Sequence, residues 1–323
     1  MKKKLIAITM GDPGGIGPEV VVKAVSDRSV RERVIPLIVG NRNVIREAIG
    51  LTGSKISLIE DISWMSDTEK VYFVSIDESG HLTRSEPSAA GGTAAVESIK
   101  KAVSLCLERK VHAVVTAPIS KEAVKLAKYS WPGHTEMIAE LTGAGRTAMM
   151  FAGPRLKVIL ATIHVPIRSV PALINEERVA DTLDMARIAS RMLSIEHPRI
   201  GVAGLNPHAG EGGMFGTSEK KAIGPAIIKA RERGLDVSGP YPPDTIFRKA
   251  LDGKFDIIVA MYHDQGLIPF KMIHFDSGVN TTIGLPIIRT SPDHGTAYDI
   301  AWRGVADPSS MIEAILMAER MNL

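Results

Sequence analysis

The chain has 323 residues, of which 45% are hydrophobic and 23% are charged, and its formal net charge at pH 7 is +3. This composition excludes an intrinsically disordered protein, and the even spread of lysine and arginine excludes the basic clusters that bind nucleic acids or anionic membranes. The single cysteine, Cys106, excludes an internal disulfide and a multi-cysteine metal cluster, and it suits a reducing compartment.

The first residues, MKKKLIAITMGDP, have the basic start of a signal peptide, but the apolar part before Gly-Asp-Pro is too short for one. No run approaches the roughly 18 apolar residues of a membrane span. We therefore expect a cytoplasmic protein. The length predicts two domains, or one large domain with lobes.

Nine short apolar runs rich in β-branched residues predict strands. They lie at 5–10, 34–40, 71–76, 112–117, 147–152, 157–163, 199–205, 255–262 and 279–285. Because the runs are apolar on both sides, they suit a sheet that is covered on both faces. Helical periodicity separates them, as in Val96, Ile99, Val103 and Cys106. This alternation predicts an α/β fold of two lobes with mostly parallel sheets and a central cleft.

The segment GDPGGIGPEV (11–20) follows the first predicted strand. Its glycines fit neither the G-x-G-x-x-G spacing of a dinucleotide fingerprint nor a P-loop. Pro18 suits the first turn of a helix, and Glu19 lies beside the positive end of that helix. We interpret the segment as a tight structural turn that lines a cleft, with direct phosphate binding as the alternative.

Three histidines follow three predicted strands: His164, His208 and His263. Ligands of open α/β sheets bind outside the carboxyl ends of the strands, so these imidazoles could share one metal ion. The alternative is that each histidine is a hydrogen-bonded structural residue. Three neutral imidazoles suit Zn²⁺, Co²⁺ or Ni²⁺ better than Mg²⁺ or Mn²⁺. Asp264 and Asp244 are acids that could fix the tautomer of a ligating histidine.

Polar residues in two further segments are candidates for substrate binding. His134 and Thr135, in WPGHTE, either begin a helix or donate hydrogen bonds to an anionic substrate. Lys271, Asn280 and Arg289 interrupt an apolar region, which suggests recognition of phosphate or carboxylate, with ordinary surface charges as the alternative.

The segment DHGTAYDIAWRGVADP (293–308) follows these polar residues. His294 and Gly295 open a loop, and the residues from Tyr298 onward predict the start of a helix. Such a loop can hold an adenosine by its backbone groups, with Asp299 near a ribose or a ring edge.

Taken together, GDPGGIGPE, GHTE, the strand end at His164, NPHAGEGG, MYHDQG and GLPIIRTSPDHGTA resemble the 4-hydroxythreonine-4-phosphate dehydrogenase family nearly end to end. More distantly, the first and last of these motifs resemble isocitrate and isopropylmalate dehydrogenases. The stretches ITMGDPGGIGPE, GPYPPDTIF, HDQGLIPFK and GTAYDIAW are most similar to a branch of the family, the 4-phospho-D-threonate and 4-phospho-D-erythronate 3-dehydrogenases.

The resemblance implies a homodimer with active sites shared between subunits, and an isocitrate/isopropylmalate dehydrogenase-like fold. One divalent metal per site would be bound by His164 and His208 of one chain and His263 of its partner. The implied substrate residues are His134, Thr135, Lys271, Asn280 and Arg289. The adenosine end of NAD would lie at His294, Gly295, Thr296 and Asp299. The cofactor-side lobe would comprise 1–125 and 286–323, and the lobe for metal, substrate and dimerisation would comprise 126–285.

The implied activity is an NAD-dependent, metal-dependent oxidation of the 3-hydroxyl of 4-phospho-D-threonate or 4-phospho-D-erythronate, followed by β-decarboxylation to dihydroxyacetone phosphate. Asp264 and Lys271 are the catalytic candidates for accepting the proton. One alternative is the 4-phosphohydroxy-L-threonine dehydrogenase of vitamin B6 biosynthesis. An alternative of another class is a hydrolase in which a metal held by three histidines activates water.

Overall fold

The computed structural model describes residues 3–60, 70–76 and 83–323. The chain forms two compact units: unit 1 comprises Met1–Arg146 and Leu285–Met321, and unit 2 comprises Thr147–Gly284 and Asn322–Leu323. The corresponding boundaries predicted from the sequence are 125/126 and 285/286. Within the described ranges, no helix is both long enough and apolar enough to cross a membrane.

Unit 1 is built on a parallel sheet, with elements numbered in chain order. Its strands are β1 (Lys4–Thr9), β2 (Val34–Gly40), β3 (Leu58–Ile59), β4 (Val71–Ser75), β5 (Ala113–Thr116) and β12 (Ile288–Pro292). Its helices are α1 (Gly17–Ser26), α2 (Arg28–Arg33), α3 (Arg42–Thr52), α4 (Ala89–Leu107), α5 (Lys121–Leu126), α6 (His134–Thr142) and α12 (Ser309–Arg320). The strand order is β3-β4-β2-β1-β5-β12, and neighbouring strands pair in parallel.

Unit 2 has a mixed sheet. Its strands are β6 (Ala148–Ala152), β7 (Lys157–Leu160), β8 (Ile200–Ala203), β9 (Val237–Tyr241), β10 (Ile257–Ala260) and β11 (Val279–Ile283). Its α-helices are α7 (Val170–Leu173), α8 (Glu176–Met192), α9 (Gly224–Glu232), α10 (Pro243–Leu251) and α11 (His263–His274). The strand order is β11-β6-β7-β10-β8-β9, where β7, β10, β8 and β9 pair in parallel and β6 pairs antiparallel with both β11 and β7.

Local sequence explains where several elements begin. Four helices are capped by a side-chain oxygen that accepts a hydrogen bond from the backbone N–H three residues later, at Asn41, Ser88, Ser120 and Asn175. All seven residues of β2 are buried, as expected for a strand of a sheet with both faces covered.

The predicted α/β fold with mostly parallel sheets is confirmed, and each of the nine predicted strands overlaps a strand of the structure. Three strands were not predicted: β3 has only two residues, β9 contains Gly239-Pro240, and β12 has the polar sequence IRTSP. All five residues of β12 are nevertheless buried. Because its sequence is polar, β12 was not predicted as a strand, although it places Arg289 in the interior of unit 1.

Gly92 allows helices α4 and α5 to approach closely. A Cβ at this position would lie 2.0 Å from the carbonyl oxygen of Ala123, whereas a Cβ at the helical Gly50 would meet no atom within 4 Å. Gly92→Ala is therefore expected to lower the free energy of unfolding by about 1–3 kcal/mol or more, because the helices must separate. Gly50→Ala, the matched control, should raise it by about 0.5–1 kcal/mol. Urea unfolding of both variants checks this, and a Gly92→Ala protein as stable as the parent would contradict it.

Candidate active site

The carboxyl ends of β7 and β10 bring two of the predicted histidines together. Ala161 N–H donates to the Ala260 carbonyl at 2.9 Å, and the Thr162 hydroxyl donates to the Met261 carbonyl at 2.8 Å. These bonds continue the pairing of the two strands beyond their ends. The ring centroids of His164 and His263 consequently lie 5.6 Å apart.

Both rings line a cavity of about 210 Å³. Its other lining residues are Ile163, Val165, Ile167, Val170, Tyr262 and Asp264. A second cavity of unit 2, of about 460 Å³, lies beside the end of α8 and is lined by none of the predicted site residues. The smaller cavity therefore matches the chemistry predicted from the sequence, because it combines two imidazoles with a carboxylate.

Asp264 orients His263. The Nδ1 atom of His263 lies 2.7 Å from Oδ1 of Asp264. A carboxylate in this position accepts the Nδ1 proton, so Nε2 keeps the lone pair that a metal ion would need. Gln265 fixes the backbone around His263. Its Oε1 accepts a hydrogen bond from Met261 N–H at 2.7 Å, and its Nε2 donates to the Gly204 carbonyl at 2.8 Å. The ring nitrogens of His164 and His263 could therefore serve as two ligands of a divalent ion.

His208 does not complete a three-residue metal-binding group with this pair in the described part of one chain. It is exposed, it lies in the turn Pro207–Gly213 after β8, and its ring centroid is 6.2 Å from that of Phe215. Within residues 3–60, 70–76 and 83–323, no group of three His, Cys, Asp or Glu side chains is arranged to hold a metal ion. The resemblance grouped His164 with His208, whereas the chain itself groups His164 with His263.

The remaining candidates of unit 2 lie on α11 and β11. Lys271 is on α11, and Asn280 is on β11, where it pairs with Phe151 of β6. The side-chain oxygen of Asn280 is buried and accepts no hydrogen bond from the described part of the chain. An amide oxygen in this condition can accept a hydrogen bond from a ligand or a water molecule. Asp244, by contrast, lies in the first turn of α10 and does not line the histidine cavity.

Unit 1 contains a buried guanidinium. Arg289 is 2% exposed, and its Nε and Nη2 atoms donate to the hydroxyl of Thr116 at 3.2 and 2.7 Å. Burial lowers the pKa of Arg289 to about 10, and the nearby carboxylate of Glu136 partly opposes this shift. The predicted alternative of an ordinary surface charge is therefore wrong for Arg289, because this side chain is enclosed by the protein.

His134 begins α6 and lies near Arg289. Burial and the charge of Arg289 lower the pKa of His134 well below its ordinary value, so the ring is neutral at pH 7. The ring bonds to the backbone of Ala117, while Nε2 is buried and has no hydrogen-bond partner in the described residues. If Nδ1–H donates to that carbonyl, Nε2 is an acceptor. This favours a contact from His134 to a substrate hydroxyl over the donation to an anion expected from the sequence. Thr135 is the next residue of the same helix.

The glycine-rich segment after β1 supports the 293–302 loop. Tyr298 donates its hydroxyl proton to Oδ2 of Asp12 at 2.7 Å, and Ile16 N–H donates to the Thr296 carbonyl at 2.9 Å. A Cβ at Gly15 would lie 2.8 Å from that same carbonyl oxygen, so a larger residue would push the loop away. The interpretation of the segment as a structural turn fits these contacts.

Two features of the 293–302 loop bear on cofactor binding. Nε2 of His294 is buried without a hydrogen-bond partner in the described ranges, and the space beside Gly295 is open. Thr296 is partly buried and Asp299 is exposed. The helix expected from Tyr298 is wrong: the segment forms turns, with Ile300 N–H bonded to the Ala297 carbonyl, and the next helix begins at Ser309.

Comparison with known proteins agrees with the motifs. The family described as pyridoxal phosphate biosynthetic protein PdxA matches residues 32–318. The chain belongs to this family. A 4-hydroxythreonine-4-phosphate dehydrogenase of Desulforapulum autotrophicum is 48% identical over 322 residues, which are 98% of this chain and 95% of that protein. A D-threonate 4-phosphate dehydrogenase of Pectobacterium atrosepticum is 40% identical over 324 residues, which are 98% of this chain and 99% of that protein.

The fold is also that of solved PdxA-family structures. The structure of a 4-hydroxythreonine-4-phosphate dehydrogenase from Klebsiella pneumoniae matches with a TM-score of 0.90 and 40% identity, covering 98% of each chain. The family predicted from the motifs is confirmed. Because these relatives are dehydrogenases, the protein is an enzyme.

Several polar residues that support the candidate groups within each unit were not predicted from the sequence. Gln265 lies within the motif MYHDQG, and Asp12 lies within GDPGG. Both are polar residues inside motifs that drew attention for a histidine or for glycines, so their position in the motif was the signal that could have identified them. Tyr298 and Thr116 carried no such signal, because their partners are far away along the chain.

The histidines predict how stability depends on pH. Burial lowers the pKa values of His112, His134 and His274 in the folded protein, so the unfolded chain binds more protons below its pKa of about 6.5. The free energy of unfolding should therefore fall as the pH drops from 7 to 5, by up to about 1.4 kcal/mol per pH unit for each group. His134→Gln should make this dependence shallower, whereas His197→Gln, at an exposed position, should not. Urea unfolding across this pH range tests both, and equal slopes for His134→Gln and the parent would contradict the assignment.

Proposed function

We propose that the protein is a metal-dependent dehydrogenase that uses NAD⁺ to oxidise the 3-hydroxyl of 4-phospho-D-threonate or 4-phospho-D-erythronate. Oxidation gives a 3-keto acid, and loss of its carboxylate as CO₂ gives dihydroxyacetone phosphate. The observation that carries this proposal is the 5.6 Å approach of His164 to His263, with Asp264 bonded to His263. The names of the relatives support the class of reaction and of substrate.

We assign the metal to His164 and His263 of one chain and to His208 of a second copy. Support for this division is the pairing of the first two rings, and the lack, among the described residues of one chain, of a three-ligand group that includes His208. Zn²⁺, Co²⁺ or Ni²⁺ fits nitrogen ligands best, with Mg²⁺ or Mn²⁺ as the alternative. When bound, the metal acts as a Lewis acid on the substrate hydroxyl and NAD⁺ accepts a hydride.

The homodimer is part of this proposal. Large apolar side chains stand exposed on the segments that carry the histidines: Ile268, Met272 and Phe275 are 61%, 83% and 76% exposed on or just after α11, which begins at His263. Ile167 is 68% exposed near His164, and Met214 is 76% exposed near His208. Apolar surface of this kind favours association with another protein surface. A second copy that covers it would also supply the third histidine.

The other residues bind and orient the substrate and the cofactor. Arg289 and Lys271 hold phosphate or carboxylate, His134 accepts a hydrogen bond from a hydroxyl, and Thr135 and Asn280 complete the polar contacts. We assign the adenosine end of NAD to His294, Gly295, Thr296 and Asp299. Asp264 is engaged with Nδ1 of His263, so it orients that ring, and Lys271 remains the candidate that accepts the substrate proton. The cytoplasmic location stays a prediction.

A second candidate is the oxidation of 4-phosphohydroxy-L-threonine, favoured by the 48% identical relative that bears this activity in its name. The two substrates differ at C2, which carries a hydroxyl in the first and an amino group in the second. The amino acid would yield 3-amino-2-oxopropyl phosphate. The hydrolase alternative has no comparable support, because the named relatives are dehydrogenases.

The test is an NADH-formation assay with 4-phospho-D-threonate, 4-phospho-D-erythronate and 4-phosphohydroxy-L-threonine. Each substrate is assayed with Zn²⁺, Co²⁺ or Mg²⁺ and after treatment with a chelator. We expect metal-dependent NADH formation, with dihydroxyacetone phosphate as the product of the first two substrates. NADH formed only from the amino acid would select the second candidate. Hydrolysis of a phosphate ester without any binding of NAD⁺ would select the hydrolase.

A further inference from the structure

The turn that carries His208 has an unusual backbone. Residues 208–212 have positive φ angles between 39° and 83° in succession, and three of them, His208, Ala209 and Glu211, are not glycine. Non-glycine residues adopt this left-handed conformation at an energetic cost, and they keep it only when their surroundings enforce it. Contacts with residues outside the turn must therefore hold it in this conformation.

Glu219 binds the backbone immediately before the turn. Glu219 is 5% exposed, and Oε1 of its carboxylate accepts hydrogen bonds from the backbone N–H groups of Leu205 and Asn206 at 2.9 and 2.7 Å. Oε2 accepts from the side-chain amide of Asn206 at 3.0 Å. Bonds from N–H groups to a carboxylate are stronger than bonds between neutral groups, and two successive N–H groups form a natural anion-binding concavity. His208 follows two residues after Asn206.

The glycines of this region make room for the carboxylate. A Cβ at Gly210 would lie 2.7 Å from Oε2 of Glu219, and a Cβ at Gly204 would lie 2.8 Å from Cα of Ala209. Glu219 itself begins a single turn of π-helix, Glu219–Ile223, immediately before α9. Such turns redirect side chains and are frequent at functional sites. Gly210 of NPHAGEGG thus makes room for a side chain of the protein itself.

We infer that Glu219 is a positioning residue that fixes the place of His208 as a metal ligand. This inference rests on the proposed function, because it requires His208 to bind the metal. Glu219 holds the backbone two residues before His208, and its loss would release a strained turn that has many lower-energy conformations. The histidine would remain in the chain, but its ring would no longer be held where the other two ligands meet it.

The test is a titration of the purified protein with Co²⁺, followed by the visible absorption of the bound ion, for the parent, Glu219→Ala, Glu219→Gln and His208→Ala. We expect Glu219→Ala to weaken Co²⁺ binding about 10- to 100-fold, as for other residues that orient metal ligands, and to change the spectrum toward that of His208→Ala. Glu219→Gln keeps an acceptor oxygen for the two backbone N–H groups, so it should lose less than about tenfold. Glu232→Ala, an exposed glutamate at the end of α9, is the matched control and should bind as the parent does.

Thermal unfolding of the same variants separates positioning from a purely structural role. A lower Tm with unchanged Co²⁺ affinity and spectrum in Glu219→Ala would overturn the inference. If Glu219→Ala does not fold, Glu219→Gln is the deciding variant. The inference would be overturned if this variant binds Co²⁺ with the affinity and spectrum of the parent although amide exchange at residues 205–206 has become rapid. If the parent binds no Co²⁺ at all, the proposed metal site fails and the inference fails with it. If only His208→Ala loses binding, the metal site stands and the inference alone fails.

Discussion

Replacing His263 by alanine should lower kcat/KM for the phosphorylated substrate by roughly 10²–10³-fold, because a Lewis acid contributes several kcal/mol to stabilising the transition state. His263 is one of the two rings that meet in the smaller cavity of unit 2, and its Nδ1 is already bonded to Asp264. Its removal therefore takes away the oriented ring that we propose as a metal ligand. The measurements are NADH formation at saturating metal and the metal content of the dialysed protein.

His197→Ala is the matched control, because this histidine is exposed and lines the other cavity of unit 2. It should retain the activity and the metal content of the parent. Circular dichroism and Tm must show that His263→Ala is folded. A folded His263→Ala protein with full metal content and full activity would exclude His263 as a ligand.

If the protein is the proposed homodimer, hybrid dimers decide how the three histidines are divided between its subunits. If His164 and His263 come from one chain and His208 from the partner, a hybrid of His263→Ala and His208→Ala chains contains one intact site and one doubly damaged site. A statistical mixture of subunits of a twofold dimer should then regain about a quarter of the parent activity. A hybrid of His164→Ala and His263→Ala should stay inactive. The division implied by the family resemblance predicts that this second hybrid regains activity, so the two pairings exclude each other.

The strand-end rule explains why much of this site was predictable. His164 and His263 directly follow apolar runs, and parallel strands bring their carboxyl ends to one edge of a sheet, so sequence alone indicated that the rings could meet. The order of the strands was not predictable. β10 lies between β7 and β8, and the sequence does not say which strand end becomes the neighbour of which.

Residues that act through distant partners escaped prediction for a related reason. The backbone around His208 is left-handed at non-glycine positions, a conformation that local preference disfavours, and Glu219, which is bonded to the backbone just before it, lies 13 positions from Asn206 along the chain. Tyr298 binds Asp12 across 286 positions of the chain. Periodicity reports which face of an element is buried, but it carries no information about the residue that a polar side chain meets.

Arg289→Met should weaken the binding of the phosphorylated substrate by roughly 30-fold or more, because truncating one partner of a buried charged pair costs about 2–5 kcal/mol. The binding of NAD⁺ should change much less. Arg289→Lys keeps the charge but loses the planar fork, so its affinity should lie between those of the parent and Arg289→Met. Titration calorimetry with substrate and with NAD⁺ measures both, and Arg248→Met, at an exposed arginine of α10, is the control. A larger loss of NAD⁺ affinity than of substrate affinity would move Arg289 to the cofactor.

The free energy of unfolding of Arg289→Met tests separately whether Arg289 serves substrate binding or the stability of the fold. Burial lowers the pKa of Arg289 to about 10, so its surroundings as a whole disfavour the charged form. Replacing a buried charge by an apolar side chain of similar length is often neutral or stabilising, so the free energy of unfolding should stay unchanged or rise. A protein that becomes no less stable while it loses its substrate is one in which the buried cation serves binding. A marked loss of stability with unchanged substrate affinity would instead assign Arg289 to the core of unit 1, with Thr116 as its structural partner.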